Sequence, residues 1–177
     1  GVYIGGNDFD RILSFSELTV LFGRSETLEL NGLPAPTLPY ATLSDWKSLN
    51  KLYTRAFGKE IAWMMQHSPN SRGIKALDHL VRNFEAHAYA KQTEDIKIGL
   101  SGEDTETFVY DTPETHLEKQ VERVVFEGLI EESVSRMDAV AGECLQRAGV
   151  SPEQITDIVM VGGSTFIPLV ESRFARQ

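Results

Sequence analysis

Two glycine pairs in the sequence have the composition of ligand-binding turns. Gly162-Gly163 follows the apolar run 158–161, and Gly5-Gly6 stands near the start of the chain. A glycine pair that leads into a helix exposes backbone N–H groups, allows close approach of a ligand and faces the positive end of the helix dipole. Each turn alone predicts either an anion-binding loop or a structural turn. The presence of two copies favours ligand binding, since both turns would face one crevice if their strands are neighbours.

A third feature is an acid, a base and a hydroxyl spaced along one helical segment. Glu94, Lys97 and Ser101 are three and four residues apart, so an α-helix places them on one face. This set suits a ribose and a base edge, with Glu94 accepting hydrogen bonds and the other two donating them. The alternative is a solvated helix face that carries an ion pair between residues three apart.

The remaining polar residues give no sign of catalysis or of metal binding. The four histidines include no pair four residues apart and have no neighbouring cysteine, so we expect no zinc site. Ser164 lies in GGSTF, which is not a nucleophile elbow. Asp8 and Asp10 suit helix capping or the surface better than a metal-bound nucleotide. We therefore predict no catalytic residue and no metal ligand in this chain.

Periodicity and turn residues predict the elements that position these side chains. The glycine pairs each lie between an apolar strand and a helix, and the long segment that carries Lys97 has apolar residues at helical spacing. The predicted strands are 1–5, 104–110 and 155–161, and the predicted helices are 9–16, 43–53, a short one around 61–65, 71–101, one that follows Pro113 and ends at Gly149, and one that begins near Pro168.

These elements predict an α/β fold whose sheet holds both chain ends. The four consecutive apolar residues 158–161 indicate a strand that is covered on both faces. Both terminal units have the order strand, glycine pair, polar residues and helix, and they enclose about 150 residues that are mainly helical. The sequence therefore predicts a sheet-based core with a large helical insertion.

Composition limits the classes of partner. The chain has 177 residues, a formal net charge of -9, 41% hydrophobic residues and one cysteine. Net acidity argues against binding to nucleic acid or to an anionic membrane, and a single cysteine fits a reducing compartment. No apolar run is long enough to span a bilayer, so we expect a cytoplasmic protein. Because the chain opens without Met in a strand-like stretch, we also expect it to be a piece of a longer protein.

Three motifs in this order resemble the DnaK-type heat-shock ATPases of the actin-like superfamily. They are GGNDFD at 5–10, EDIKIGLS at 94–101 and VGGSTFIP at 161–168. The stretch NGLP at 31–34 and the region around Trp46 resemble the divergent YegD group of that family. The resemblance implies lobe II of an ATPase domain, with residues 1–6 and 120–177 as its base and residues 7–119 as an inserted, mainly helical α+β upper subdomain.

The resemblance also implies which residues contact nucleotide. Glycines of both loops would approach phosphate or ribose, the residues of the helix face would contact adenosine, and Ser164 would touch the base side. The family has arginines where this chain has Ile98 and Phe166, and these two would pack on or stack against the base. The implied ATP or ADP contacts are Gly6, Glu94, Lys97, Ile98, Ser101, Gly162, Gly163, Ser164 and Phe166.

The resemblance implies that this chain carries half of a cleft. The family's other phosphate loop, its catalytic groups and its Mg²⁺ site belong to lobe I, so we expect no ATP hydrolysis by this chain alone. Its expected partners are nucleotide, lobe I of the same parent protein, and an exchange factor or client protein. The alternative is a scaffold or interaction module that keeps the fold without using nucleotide, which is suggested by Ile98 and Phe166.

Overall fold

The computed structural model describes residues 3–175 and shows a mainly helical chain with one small sheet. The α-helices are α1 (Gly6–Leu13), α2 (Leu38–Leu43), α3 (Arg55–His67), α4 (Arg72–Arg82), α5 (Ala86–Gly99), α6 (Arg123–Ala148) and α7 (Pro168–Ala175). The strands are β1 (Thr105–Asp111) and β2 (His116–Glu122). A π-helical turn (Ser14–Leu18) and three 3₁₀ turns (Leu49–Tyr53, Pro152–Gln154 and Gly163–Phe166) complete the elements. Among residues 3–175, no helix is long and apolar enough to cross a membrane.

The first helix begins directly at a glycine pair, as expected. Gly5 is the N-cap of α1, and its N–H donates a 3.0 Å hydrogen bond to the Asp8 carboxylate in the first turn. The helix buries Phe9 and Leu13 completely, since these residues lie four apart on one face. The strand expected before it is absent at residues 3–5, which are irregular, and residues 1 and 2 lie outside the described part of the chain.

The long helix expected over 71–101 is two helices. The Ser71 hydroxyl accepts a 3.0 Å hydrogen bond from the Ile74 N–H at the start of α4, and the helix ends at Arg82. Phe84 then has φ of +59°, a conformation that a right-handed helix does not allow. Its ring stacks on Tyr53, with centroids 4.7 Å apart. This tertiary contact accompanies a break that apolar periodicity does not reveal.

The second strand of an antiparallel hairpin stands where the start of a helix was expected after Pro113, and the rest of that helix is present as α6. β1 pairs with β2 from Thr105 opposite Glu122 to Asp111 opposite His116. The Thr112 hydroxyl braces the turn by accepting the N–H of Thr115 at 2.8 Å. The prediction of β1 is confirmed, whereas the prediction of a helix over residues 116–122 is wrong. The alternation of buried and exposed residues in β2 fits a half-buried strand better than a helix.

Two further expected elements differ from the structure. The predicted helix over 43–53 is a turn followed by the 3₁₀ segment from Leu49, with α2 ending at Leu43. The predicted strand over 155–161 is irregular, and Val159 and Val161 are 85% and 84% exposed. A strand needs a neighbour for its N–H and C=O groups, and among the described residues the only sheet is the β1–β2 hairpin. The segment 155–161 therefore has no sheet to join.

The core lies where α1, α4, α5 and the hairpin meet. Phe22 is fully buried and makes edge-to-face contacts with Tyr89 and Phe108, at centroid distances of 5.5 and 6.1 Å. Helix α7 packs on α6, where Arg173 is paired with Glu131. The structure is thus a mixture of helices and a two-stranded sheet. The division into a base and an inserted subdomain stays a prediction.

Candidate functional site

Three of the predicted site residues, from distant parts of the chain, meet at the start of α1. A Cβ atom placed on Gly6 would lie 3.1 Å from the Ser164 Oγ and 3.3 Å from the Lys97 Nζ. Gly6 comes from the first glycine pair, Ser164 from the loop after the second pair, and Lys97 from the last turn of α5. A side chain at position 6 would be tightly placed against the other two groups, which would have to shift by a few tenths of an ångström to make room for it.

Lys97 is held by an acidic residue that lies 87 positions earlier in the chain. Its Nζ donates a 2.9 Å hydrogen bond to the Asp10 Oδ2 and lies 2.8 Å from the Oδ1 of the same carboxylate. A longer contact, 3.5 Å, joins Nζ to the Gly6 carbonyl oxygen. Lys97 is 8% exposed, so it is not part of a solvated helix face. The sequence predicted a surface or capping role for Asp10 and did not predict its ion pair with Lys97.

The electrostatics of Asp10 follow from its burial. Burial raises the pKa of Asp10 above its ordinary value of 3.8, and the hydrogen bond and charge of Lys97 oppose that rise. Its Oδ1 atom is buried and receives no hydrogen bond of good geometry from the described residues. The carboxylate therefore keeps spare acceptor capacity next to an ammonium group.

The other predicted residues of α5 lie further out. Glu94 is exposed and pairs with Lys91 at 3.3 Å, not with Lys97. The alternative of an ion pair between Glu94 and Lys97 is therefore wrong, because each has a different partner. Ile98 is 56% exposed and Ser101 is half-buried, one turn beyond Lys97. Glu94, Lys97 and Ile98 lie in the second half of α5 and Ser101 lies just beyond its end, so the predicted helix over 94–101 stops short of Ser101.

Two helix N-termini near the glycine loops already hold carboxylates of the chain. Asp8 accepts from the Gly5 N–H at the start of α1, and Glu127 of α6 accepts a 2.9 Å hydrogen bond from the Leu169 N–H at the start of α7. A carboxylate at a helix N-terminus satisfies free N–H groups and interacts favourably with the helix dipole. The start of each helix thus has an internal anion.

The second glycine loop has a different arrangement. Gly162 has φ of +99°, which favours glycine, and its carbonyl oxygen accepts hydrogen bonds from the Thr165 Oγ1 at 2.7 Å and N–H at 3.1 Å. Gly162 and Gly163 are exposed, and a Cβ on Gly163 would meet nothing within 4 Å. Phe166 is 72% exposed at the end of this 3₁₀ turn. The first N–H groups of the turn have no carbonyl partner within it, as at any helix start.

The site offers hydrogen-bond donors and acceptors close together, with its lysine already neutralised. Lys97 and Asp10 together suit hydroxyl groups better than a free phosphate, since the ammonium charge is balanced. Ile98 and Phe166 are exposed apolar side chains on α5 and on the second glycine loop. Among residues 3–175 there is no cluster of His, Cys, Asp or Glu able to hold a metal ion.

The helices, the small sheet and the two glycine loops are compatible with a fragment of an α/β ATPase domain. A family model described as Hsp70 protein matches residues 65–176, well over half of the chain. The chain therefore belongs to the Hsp70 family. The resemblance of its motifs to DnaK-type proteins is confirmed at this level.

Several chaperone proteins are similar in sequence over part of the chain. DnaK of Halobacterium salinarum is 31% identical over an alignment of 116 residues, which covers 55% of this chain and 18% of that protein. DnaK of Thermus thermophilus is 39% identical over 56 residues, which are 32% of this chain and 9% of that protein. DnaK3 of Synechocystis is 40% identical over an alignment of 85 residues, which covers 44% of this chain and 11% of that protein. The matched part is less than a fifth of the length of each relative.

Proposed function

We propose that this chain is the lobe of an Hsp70-type ATPase domain that contacts the nucleoside part of ATP or ADP. The observation that carries the proposal is the meeting of Gly6, Lys97 and Ser164 around one small space, where residues separated by up to 158 positions in sequence converge. Such convergence of polar groups beside a closely approached backbone is typical of a ligand site.

The lobe supplies hydrogen bonds and apolar contacts to the nucleoside. The Lys97 ammonium and the Ser164 hydroxyl donate to sugar hydroxyls, and Asp10 and Glu94 accept from them. Ile98 and Phe166, both exposed, cover the faces of the base. Ser101 and the N–H groups of Gly162 and Gly163 complete the contacts at the edge of the site.

Phosphate and Mg²⁺ are held mainly elsewhere in the proposed assembly. Asp8 and Glu127 each accept one N–H at the starts of α1 and α7, and their negative charges make these helix ends less favourable for a phosphate group. The second lobe of a longer parent protein provides the remaining phosphate contacts and the metal ligands. The chain alone then binds nucleotide weakly and does not hydrolyse ATP.

The exposure of the apolar segment 155–161 supports the proposal that a longer parent protein covers it. Ile158 and Val161 line a groove of about 860 Å³ between this segment, α6 and α7, and Val159 between them is exposed. A contiguous apolar surface of this kind usually marks an interaction surface. The occupant that fits the proposal is another strand of the parent chain, which would make 155–161 the sheet strand that the sequence predicts.

The test compares two adjacent glycines. ATP is titrated by calorimetry against the parent protein, with Gly6→Ala as the test and Gly5→Ala as the matched control, since a Cβ on Gly5 meets nothing within 4 Å. We expect Gly6→Ala to weaken binding by about tenfold or more, whereas Gly5→Ala retains the wild-type affinity. Lys97→Ala should weaken binding as well.

Three results would contradict this proposal. Unchanged affinity in both Gly6→Ala and Lys97→Ala would show that nucleotide binds elsewhere. Absence of nucleotide binding by the folded parent would favour the scaffold or interaction module, for which the apolar residues Ile98 and Phe166 are the supporting observation. Tight binding of ATP to this chain alone would contradict the assignment of phosphate contacts to a second lobe.

A further inference from the structure

Two stacked aromatic rings lie at the surface, between the 3₁₀ turn that ends at Tyr53 and the turn after α4. The Phe84 ring stacks on the Tyr53 ring with centroids 4.7 Å apart and is 68% exposed. The Tyr53 hydroxyl accepts a 3.2 Å hydrogen bond from the Ala86 N–H, which fixes the orientation of its ring. A fixed ring pair with an open face offers an apolar platform for another side chain at low entropic cost.

A large apolar residue at position 84 is unfavourable for the chain itself. Phe84 has φ of +59°, a conformation in which glycine, asparagine or aspartate is favoured, and it leaves most of its ring in water. An asparagine at this position would avoid both costs. Strained backbone conformations cluster at functional sites, so the exposed ring is a candidate anchor for a partner.

Exposed cations lie on both sides of Tyr53 in the sequence. Lys51 and Arg55 are each two residues away, and Lys47 and Lys59 follow four residues further out. None of the four has an ion pair with a carboxylate of the described residues, in contrast to the other paired lysines and arginines. We call Tyr53, Phe84, Lys51 and Arg55 the basic aromatic surface.

The charge of this region is opposite to that of the whole chain. The stretch 45–60 has four basic and two acidic residues, although the chain has 17 basic and 26 acidic residues. Helix α3 begins at Arg55 and has no acidic residue in its first turn, so the positive end of its dipole adds to the charge of the arginine. Charge complementarity therefore favours an acidic partner.

The acidic residues near the rings are already engaged within the chain. Glu85 accepts the hydroxyl of Tyr110, and Asp78 pairs with Arg82 at 2.7 Å. Asp45 holds the turn before the 3₁₀ segment, because its carboxylate oxygens accept the N–H of residue 47 at 3.2 Å and the hydroxyl of residue 48 at 2.7 Å. These carboxylates therefore do not neutralise the cations on either side of Tyr53.

Most of the basic aromatic surface lies outside the part of the chain that the Hsp70 family model matches. That match covers residues 65–176, whereas Lys51, Tyr53 and Arg55 precede it. Membership of the family therefore implies no role for these three residues. Their function has to follow from the chemistry of this chain.

We propose that the basic aromatic surface docks an acidic segment of a partner protein that carries a large apolar side chain. The apolar side chain packs on the open face of Phe84, and Asp or Glu residues on either side of it pair with Lys51 and Arg55. A central aromatic anchor supplies most of the affinity, and charged pairs around it speed association and set the register. A long nucleic acid fits less well, because the net charge of -9 repels a polyanion beyond this surface.

Selection of short displayed peptides from a random library tests the proposal. The library is selected on the wild-type protein after removal of peptides that bind Phe84→Asn. We expect the enriched peptides to be rich in Asp and Glu around a Trp, Phe or Leu. Enrichment of neutral or basic peptides would overturn the proposal, and so would the absence of any peptide that distinguishes the two proteins.

Fluorescence anisotropy with an enriched, labelled peptide then compares variants that remain folded by circular dichroism. Phe84→Asn removes the ring but suits the positive φ, and it should weaken binding by about tenfold or more. Lys51→Glu with Arg55→Glu should weaken binding by about tenfold and reduce its dependence on salt. Arg72→Glu is the matched control, because Arg72 is an exposed cation at the opposite end of α4 from Phe84.

Unchanged peptide affinity in either test variant would overturn the proposal. A single-stranded oligothymidylate that binds more tightly than the peptide, and that loses binding in the same variants, would identify nucleic acid as the occupant and overturn it as well. The proposal does not depend on nucleotide binding: Phe84→Asn should retain the ATP affinity of wild type, and Gly6→Ala should retain peptide binding. Loss of peptide binding in Gly6→Ala, with none in Phe84→Asn, would place the peptide elsewhere and contradict the assignment.

Discussion

The pair formed by Lys97 and Asp10 makes the sharpest prediction about stability. Their charged atoms lie 2.8 Å apart, and the side chains are 10% and 19% exposed. At an effective dielectric constant of about 20, the attraction at this distance is about 6 kcal/mol, most of which is offset by the loss of hydration. The variant Lys97→Met keeps the length of the side chain and leaves the Asp10 carboxylate without its cation.

We expect Lys97→Met to reduce the free energy of unfolding by about 3 kcal/mol at pH 7, because a buried charge remains without a partner. The double variant Lys97→Met with Asp10→Asn should recover most of this loss, since neither charge remains. The pKa of Asp10 is already raised by burial and rises further without Lys97. At each pH, the free energy of unfolding of Lys97→Met is compared with that of wild type. The difference should become smaller as the pH falls, because Asp10 takes up a proton and no longer carries an unpaired charge.

Urea unfolding at several pH values, in the absence of nucleotide, measures these differences. Lys91→Met is the matched control, because Lys91 lies on the same helix but its ion pairs with Glu94 and Asp95 are exposed. Exposed pairs contribute little, so this variant should unfold close to wild type. The assignment of a buried, paired charge to Asp10 would be refuted if the double variant were as unstable as Lys97→Met. It would also be refuted if the loss of stability in Lys97→Met did not change with pH.

Three other predictions concern backbone and ion pairs. A Cβ on Gly73 would lie within 2.8 Å of three backbone atoms, so Gly73→Ala should destabilise the protein by about 2 kcal/mol or more in thermal unfolding. The control is Gly58→Ala in α3, where the added Cβ meets open space, and this variant should stabilise the protein by up to about 1 kcal/mol. Because Phe84 has a positive φ, the variant Phe84→Val should be about 1 kcal/mol less stable than Phe84→Asn in denaturant unfolding. Equal free energies of unfolding for the two variants would argue against backbone strain at this position. The hydrogen bond from the arginine of α7 holds the pKa of Glu131 below its ordinary 4.5, so its stabilisation is present above pH 4.5 and is lost as the pH falls through the lowered value. Glu131→Gln should therefore be less stable than wild type at neutral pH but not in acid, whereas Glu132→Gln should follow wild type at every pH.

The sequence predicts best those elements that depend on nearby residues. The first helix, with Phe9 and Leu13 four residues apart, and the strand that begins at Thr105 have clear local patterns, and both are confirmed. The motifs that resemble the Hsp70 family are also local, and the family is confirmed. Pro168 begins α7 as expected, because proline is favoured in the first turn of a helix.

Elements that need a distant partner are predicted less well. The break at Phe84 accompanies stacking on Tyr53, and the segment 155–161 lacks the neighbouring strand that its apolar residues require. The sequence predicts a helix in place of strand β2, where Leu117 and Val121 are both buried, because a spacing of four residues fits a helix as well as one face of a strand. Short apolar patterns do not specify which surface they will pack against.

The sequence by itself determined the family, the two glycine turns and the helical spacing of Glu94 and Lys97, whereas Ser101 lies just beyond the end of α5. Only the tertiary structure decided that Lys97 pairs with Asp10 and not with Glu94, and that Gly6 and Ser164 lie beside it. The physical reason is distance along the chain. Helical spacing determines neighbours three or four residues apart, whereas a contact between residues 10 and 97 depends on how α1 and α5 pack.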